Sequence, residues 1–169
     1  NGGSFKGLAE GGKGINVIHL DASDGGELGD TRNFAGLFNS QGAWTLTSKS
    51  DFKDGVVVFN DGVLTNNGKI LGRAIAVGQL FNNGEIRGSV DVEEGGTFAG
   101  QGTVGSLRVH GQVNVNRLHG APRVRGDLTL SETGVLAYEV NPDGKGETIK
   151  VGGTASLGGS TLKIVTLPG

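Results

Sequence analysis

The chain has 169 residues, of which 34 are Gly and only 3 are Pro, with no Cys and no Met, and its formal net charge at pH 7 is −2. The absence of Cys excludes disulfides, thiol nucleophiles and thiolate metal sites. This density of Gly disfavours helices, because each interior helical Gly costs about 1 kcal/mol relative to Ala, and Pro is too rare for collagen. The balanced charge argues against a nucleic-acid partner, and no apolar run is long enough to span a membrane as a helix. We therefore expect a folded, all-β chain.

The N-terminal stretch 1–40 is the least regular part of the sequence and holds two weak ligand motifs. Gly7–Lys13 matches the start of a phosphate-binding loop, but Gly14 replaces the Ser or Thr that would hold magnesium. Gly11–Asn16 resembles one copy of a calcium-binding nonapeptide, without the tandem copies typical of such sites. We expect neither segment to bind a ligand, and we expect Trp44, shortly after them, to pack in the core.

A repeat runs through the middle of the chain. An apolar residue, a turn pair, a Gly, a polar residue and a second apolar residue recur at 64–70, 80–86 and 98–104, at nearly even intervals. A short alternating strand follows each copy, at 74–77, 89–92 and 106–109. One copy is too small to bury a core, so successive copies must stack and each strand must pair with its equivalent one coil away. The repeat therefore predicts a β-solenoid.

The turn residues fit the corners of such coils. Asn-Gly and Asp-Gly pairs begin at 24, 54, 61, 67, 83 and 143, and Gly and Asn adopt the positive φ of tight corners at low steric cost. Asn66 is predicted to stack above Asn82, so that their amides form a hydrogen-bonded ladder. The alternative is that these pairs close the hairpins of an ordinary β-sandwich. The repeat argues against it, because hairpins need no sequence repeat in register with their turns.

A cluster of basic residues is the one candidate contact site. Residues 95–126 contain four arginines and two histidines and no acid, the arginines being Arg108, Arg117, Arg123 and Arg125. They could contact the phosphates of lipopolysaccharide or an acidic partner. The alternative is a solvated surface balanced by the acids at 91, 93 and 94 on a neighbouring coil. The sequence offers no candidate catalytic, cofactor-binding or metal-binding residue, since its three histidines are scattered and no Gly-x-Ser-x-Gly elbow occurs.

From Gly126 onward the predicted strands lengthen. They are predicted at 127–130, 135–140, 148–151, 155–157 and 161–166, and the polar loop 141–147 reads as a hairpin connection. A solenoid leaves an open strand edge at its end unless something covers it. We therefore predict coils over residues 1–120 and a β-sandwich-like capping region over 121–169, whose local stability would nucleate folding of the rest.

The sequence resembles the C-terminal part of a bacterial autotransporter (type V secretion) passenger, including its autochaperone or passenger-junction region. The segments that carry the resemblance are 82–92, 100–109, 126–131, 136–143 and 149–162. It implies a right-handed parallel β-helix with a C-terminal cap, next to a membrane-embedded translocator barrel further downstream. The chain departs from the family at 114–122, where members often carry a Pro-Gly-Asn-Ser-like turn.

The resemblance implies a non-enzymatic structural and folding module of a secreted or surface-displayed virulence protein. Such a chain crosses the periplasm and the outer membrane, and its partners would be its own upstream coils and the translocator barrel. Two alternatives stay open. One is an adhesin surface that contacts a host protein. The other is a polysaccharide-acting β-helix enzyme, which would need clustered acids beside a basic residue, whereas the acids here lie mostly at turns.

Overall fold

The computed structural model describes residues 3–168, which form a parallel β-solenoid with no helix. Every pair of neighbouring strands in it is parallel, and one isolated antiparallel bridge joins Asn116 to Gly120. The strands, in chain order, are β1 Gly3–Phe5, β2 Ala9–Glu10, β3 Val17–Leu20, β4 Gly26–Leu28, β5 Thr31–Arg32, β6 Gly36–Leu46, β7 Lys49–Ser50, β8 Gly55–Asn66, β9 Lys69–Ile70, β10 Ala74–Ala76, β11 Gln79–Asn82, β12 Glu85–Val92, β13 Thr97–Ala99, β14 Thr103–Val109, β15 Gln112–Val115, β16 Arg123–Val124, β17 Leu128–Leu130, β18 Val135–Val140, β19 Lys150–Val151, β20 Ala155–Ser156 and β21 Thr161–Thr166.

The strands stack into three sheets that run along the solenoid. Four strands bend from one sheet into the next: β6 and β8 pass from sheet A to sheet B after residues 39 and 58, and β12 and β14 pass from sheet C to sheet A after residues 86 and 104. Sheet B contains β1, β4, the second part of β6 and of β8, and then β11, β13, β15, β18 and β21. Sheet C contains β2 and β5, which form a ladder of their own, then β7, β9, the first part of β12 and of β14, β16 and β19. Sheet A contains β3, the first part of β6 and of β8, β10, the second part of β12 and of β14, β17 and β20. The chain visits B, C and A in turn, and we name the connections between them the B–C, C–A and A–B corners.

The predicted repeat corresponds to this stacking. Leu64, Leu80 and Phe98, the first residues of the three predicted copies, lie in direct register in sheet B and are buried. Inward columns of the same kind line sheet A, from Leu37 to Leu128, and sheet C, from Ile70 to Val124. Each buried Val, Leu or Ile contributes about 1.5–3 kcal/mol by leaving water. The β-solenoid prediction is confirmed, and Trp44 packs against this core.

Gly serves the corners in two different ways. Gly25 and Gly55 have positive φ, of 69° and 111°, as predicted for Asp-Gly corners. Gly68 and Gly84 do not, and there the prediction of positive φ is wrong. A Cβ at Gly84 would instead collide with the carbonyl oxygen of Gly68 one coil below. At these two B–C corners Gly is therefore needed because successive backbones approach closely, whereas Gly144, on the last B–C corner, has the predicted positive φ, of 81°.

The sandwich-like cap predicted over 121–169 is not confirmed in the described part of that segment, residues 121–168. Strands β16 to β21 pair in parallel with the preceding coil, so the three sheets of the solenoid continue to residue 166. The sequence predicts longer strands here because β18 and β21 are both six residues long and pair over their whole length in sheet B. The division of the chain at residue 120 stays a prediction.

The hairpin predicted at 141–147 is wrong. This loop leaves β18 in sheet B and enters β19 in sheet C, and neither strand pairs with the other. It is a long B–C corner, closed by a hydrogen bond from Asn141 N to Lys145 O. In the atypical segment 114–122 the first two residues complete β15 and the rest form the matching corner one coil earlier, where Gly120 N donates to Asn116 O.

Candidate functional site: the outer surface of sheet C

The outward positions of sheet C carry a line of cations along the solenoid. Because strands alternate inward and outward residues, the neighbours of the buried Ile70, Ile86 and Val124 point to solvent. Successive coils lie about 4.8 Å apart, so side chains at register positions are close neighbours. The outward residues in register are Lys49, Lys69, Glu85, Thr103, Arg123 and Lys150, and further along the same strands or just after them lie Arg87 and Arg125.

Glu85 is the carboxylate at the centre of this surface. Its Oε2 is 3.3 Å from Lys69 Nζ, and its Oε1 is 3.1 Å from a guanidinium nitrogen of Arg125 and 3.5 Å from Arg87 Nε. Burial acts to raise the pKa of Glu85, but the hydrogen bond from Lys69 and the charges of Lys69, Arg125 and Arg87 outweigh it, so the pKa is lowered. Arg125 reaches Glu85 across an intervening coil whose matching residue, Gly105, has no side chain.

A hollow of about 280 Å³ opens at the B–C corner beside this line. It lies between the loop before β16 and the loop before β19. Three cations line it, Arg117, Arg123 and Lys150, together with Gln101 and one carboxylate, Glu147. Among residues 3–168, no ion pair holds these three cations. Their side chains are therefore free to turn towards an anion in the hollow.

The four arginines predicted from sequence do not form one cluster. Arg123 and Arg125 lie on sheet C, and Arg117 lies at its edge, where its backbone N–H donates to Glu139 Oε1 at 3.1 Å. Arg108 lies on the outer side of sheet A, in register with Asp91. The structure thus brings three of the arginines to one side of the molecule and places the fourth on another.

Sequence reasoning missed Lys69, Glu85, Arg87 and Lys150 as parts of this surface. They lie far from Arg125 in the printed chain, on three other coils. Only the register of the sheet brings them together. In each strand of sheet C an outward residue stands next to an inward one, and this alternation is the signal that the sequence contains. Over two residues it is too short to be recognised.

The remaining chemistry-bearing residues stay apart. The ring of His19 packs at a tilt against that of Phe38, with 5.3 Å between the ring centroids, and the ring of His119 packs likewise against that of Phe81 at 4.9 Å. His110 is an exposed residue of an A–B corner. Within residues 3–168, no group of three or more His, Asp or Glu side chains is arranged to hold a metal ion. That part of the chain also contains no helix that could cross a membrane.

A larger hollow, of about 580 Å³, is an open groove at the C–A corner of the first coils. It is lined by Gly12–Gly14, the segment with the two weak ligand motifs, together with Asn33, Asp51 and Lys53. Nearby, Glu10 accepts hydrogen bonds from the Gly12 N–H and the Asn33 amide, and these bonds lower the pKa of its carboxyl group. Glu10 thus has a structural role in closing this corner.

Fold and surface together define a parallel β-solenoid with a line of cations along the outer side of sheet C. Compared with family models, with curated proteins and with solved structures, the chain matches none of them.

Proposed function

We propose that this chain is a non-enzymatic structural and folding module, the β-helical stalk of a secreted or surface-displayed protein of the autotransporter type. In this proposal its C-terminal coils template the folding of the coils before them. One observation carries the proposal. The core of each coil is closed only by the coils before and after it, along sheets that continue from β1 to β21.

The stacking supports a templating role for physical reasons. In a linear stack, stability is the sum of the coils and of their nearest-neighbour contacts, so folding can start at one end and spread. The six-residue register between β18 and β21 gives the C-terminal end one of the longer uninterrupted pairings. A formed strand edge there offers backbone donors and acceptors to the coil that adds next. The proposal therefore places the first folding event near β18.

Refolding rates of two matched variants test the templating role. Leu128 in β17 and Leu28 in β4 are both core leucines, 4% and 5% exposed, near opposite ends of the stack. Truncation of either to Ala should cost about 2–5 kcal/mol of stability. If the C-terminal coils fold first, Leu128→Ala slows refolding, whereas Leu28→Ala mainly accelerates unfolding. Stopped-flow refolding in urea measures both, and slower refolding of Leu28→Ala than of Leu128→Ala would reject C-terminal nucleation.

The export part of the proposal needs its own test. A chain without Cys cannot form periplasmic disulfides that would block its threading through a narrow pore. The chain is placed between a signal peptide and an autotransporter barrel, and protease is added to intact cells. We expect the coils to become accessible at the cell surface, and retention in the periplasm would argue against this class of function.

A further inference from the structure

The charges of the described residues are separated across the solenoid. Sheet C carries the cations Arg32, Lys49, Lys69, Arg87, Arg123, Arg125 and Lys150 on its outer side, against the carboxylates Glu10, Asp51 and Glu85. In the triangular section of the coil, the A–B corner lies opposite sheet C. The described A–B corner segments hold no Lys or Arg, and their carboxylates are Asp21, Asp24, Asp61, Glu93, Glu94 and Glu132. A chain with a net charge of only −2 thus has one clearly cationic side.

Five of these cations fall into two groups with different roles. Lys69, Arg87 and Arg125 surround Glu85 at 3.1–3.5 Å and are partly neutralised by it. Arg123 and Lys150 are in direct register one coil apart, and together with Arg117 they line the B–C hollow. Guanidinium groups bind sulfate, phosphate and carboxylate through paired hydrogen bonds. The hollow is therefore the place where an anionic group of a ligand would be held most firmly.

The line of cations fits an extended ligand. From Lys69 to Arg123 the register advances three coils, a distance of about 14 Å at the usual strand spacing, and Lys150 extends the line by one coil more. Within sheet C each coil is paired over only two residues, so the cationic surface is long in the direction of the solenoid axis and narrow across it. A narrow line matches a linear polyanion better than a broad, flat membrane surface.

The absence of aromatic and apolar contacts on the outer side of sheet C, in the described coils, distinguishes between classes of polyanion. Its outward positions carry no aromatic side chain in the described coils, whereas single-stranded nucleic acid is usually held by stacking its bases on aromatic rings. The one large exposed apolar side chain at the hollow is Leu118, which alone gives little area for insertion into lipid. A surface that has charges but neither aromatic rings for stacking nor apolar side chains for insertion is suited to binding a hydrophilic polymer.

We propose that the outer surface of sheet C binds a linear acidic polysaccharide, with one acidic group of the polymer held in the hollow by Arg117, Arg123 and Lys150. Glu85 spaces and orients Lys69, Arg87 and Arg125 along the same line. The proposal goes beyond the folding role, because a solenoid that folds from either end would present the same surface.

Binding of heparin, as a sulfated probe, and of polygalacturonate, as a carboxylate probe, tests the proposal by calorimetry in about 0.15 M salt. The triple variant Arg117→Gln, Arg123→Gln, Lys150→Gln should weaken binding of whichever polymer the wild type binds by at least about tenfold, and should reduce its salt dependence. The matched control Arg73→Gln, Arg108→Gln, Lys163→Gln removes the same charge outside sheet C and should change affinity less than about threefold. Circular dichroism and thermal unfolding verify that both variants fold.

Two further measurements make the outcome decisive. The conservative variant Arg123→Lys should retain more affinity than Arg123→Gln, because it keeps the charge and loses only the paired geometry. Oligo-dT and phosphatidylglycerol vesicles are titrated under the same conditions. The proposal is overturned if neither polysaccharide binds, if the control triple loses as much affinity as the hollow triple, or if either of these other polyanions binds more tightly.

Discussion

At the scale of single residues, the stacked pair Asn66 and Asn82 shows how a polar side chain is accommodated inside the solenoid. Both are fully buried, and Asn66 Nδ2 donates to Asn82 Oδ1 at 3.0 Å. Their remaining amide groups bind the backbone: Asn66 Nδ2 also donates to Glu85 O, and Asn82 Nδ2 donates to Thr103 O. Buried amides are tolerated when they are satisfied in this way. The predicted ladder is thus confirmed, and it also fixes the backbone of the B–C corner.

Truncation of this ladder should be costly. Asn82→Ala removes the acceptor for Asn66 and leaves the Thr103 carbonyl without its amide donor, so we expect the free energy of unfolding to fall by about 2–3 kcal/mol. The adjacent Asn83 is less buried, and its side chain bonds only to Asn67, at 3.0 Å. Asn83→Ala is therefore the control, with an expected loss within about 0.5 kcal/mol. Urea unfolding measures the free energy of unfolding of both variants. Similar losses would show that the buried ladder stabilises the fold no more than an exposed amide pair does.

Glu85 should make stability depend on pH. Its pKa is lowered in the folded state from an ordinary value of 4.5, so its ionised form stabilises the fold above that pH, and the contribution disappears as pH falls below 4.5 towards the folded pKa. Glu85→Gln should lower the free energy of unfolding at pH 7 by about 1 kcal/mol and flatten its decline as the solution is acidified below pH 4.5.

Glu94→Gln provides the comparison for this pH effect, since it removes an exposed carboxylate from an A–B corner. Its profile, measured by urea unfolding at a series of pH values, should follow that of the wild type. A Glu85→Gln profile parallel to that of the wild type would mean that the cations around Glu85 do not stabilise the fold.

At the scale of strands and corners, the sequence predicted the coils best where their spacing is regular. Leu64, Leu80 and Phe98 follow one another at nearly even intervals, so the stacking could be predicted from the repeat alone. After Val113 the equivalent positions, Leu136 and Leu162, are more widely spaced because the connecting corners grow. Longer corners conceal the register, and this is why the sequence of the last coils predicts a cap with a hairpin.

The candidate site was less predictable than the fold for the same reason. Arg123 and Arg125 stand out as a local run of charge, but Glu85 and Lys150 reach them only through the pairing of distant strands. Corner glycines show a related limit. The sequence marks Gly84 as a corner residue, but the approach of the Gly68 carbonyl, which requires Gly there, appears only in the stacked coils.

Strand β21, like β1 at the other end of the stack, has one edge that is not paired within the described residues. In the described chain it pairs with β18 alone, and its Leu162 and Ile164 continue the inward columns of sheet B although they are 61% and 52% exposed. An apolar strand with a free edge is a template for another strand. The 169-residue chain, produced on its own, should therefore self-associate with increasing concentration, and Leu162→Lys together with Ile164→Lys should shift it towards the monomer.

Sedimentation velocity over a range of concentrations measures this association. Thr161→Lys with Thr166→Lys, which adds the same charge to β21 without removing an apolar side chain, is the control and should reduce association less. Concentration-independent sedimentation of the unaltered chain would show that this edge is protected.

At the scale of the whole molecule, the solenoid separates two tasks between its inside and its outside. The inward columns are nearly uniform from coil to coil and maintain the stack. The outward positions are not constrained by packing, so sheet C can be cationic while the opposite A–B corner is anionic. The folding role proposed for the chain depends on the first set of residues, and polysaccharide binding depends on the second.

This separation of charge has a consequence for orientation. The positive and negative groups are displaced from each other perpendicular to the solenoid axis, and each set extends over several coils, so the molecule has a transverse electric dipole. In the field near a negatively charged wall, such a body experiences a torque about its own axis. Alignment of the dipole with this field would turn sheet C towards the wall and lay the solenoid axis along the wall.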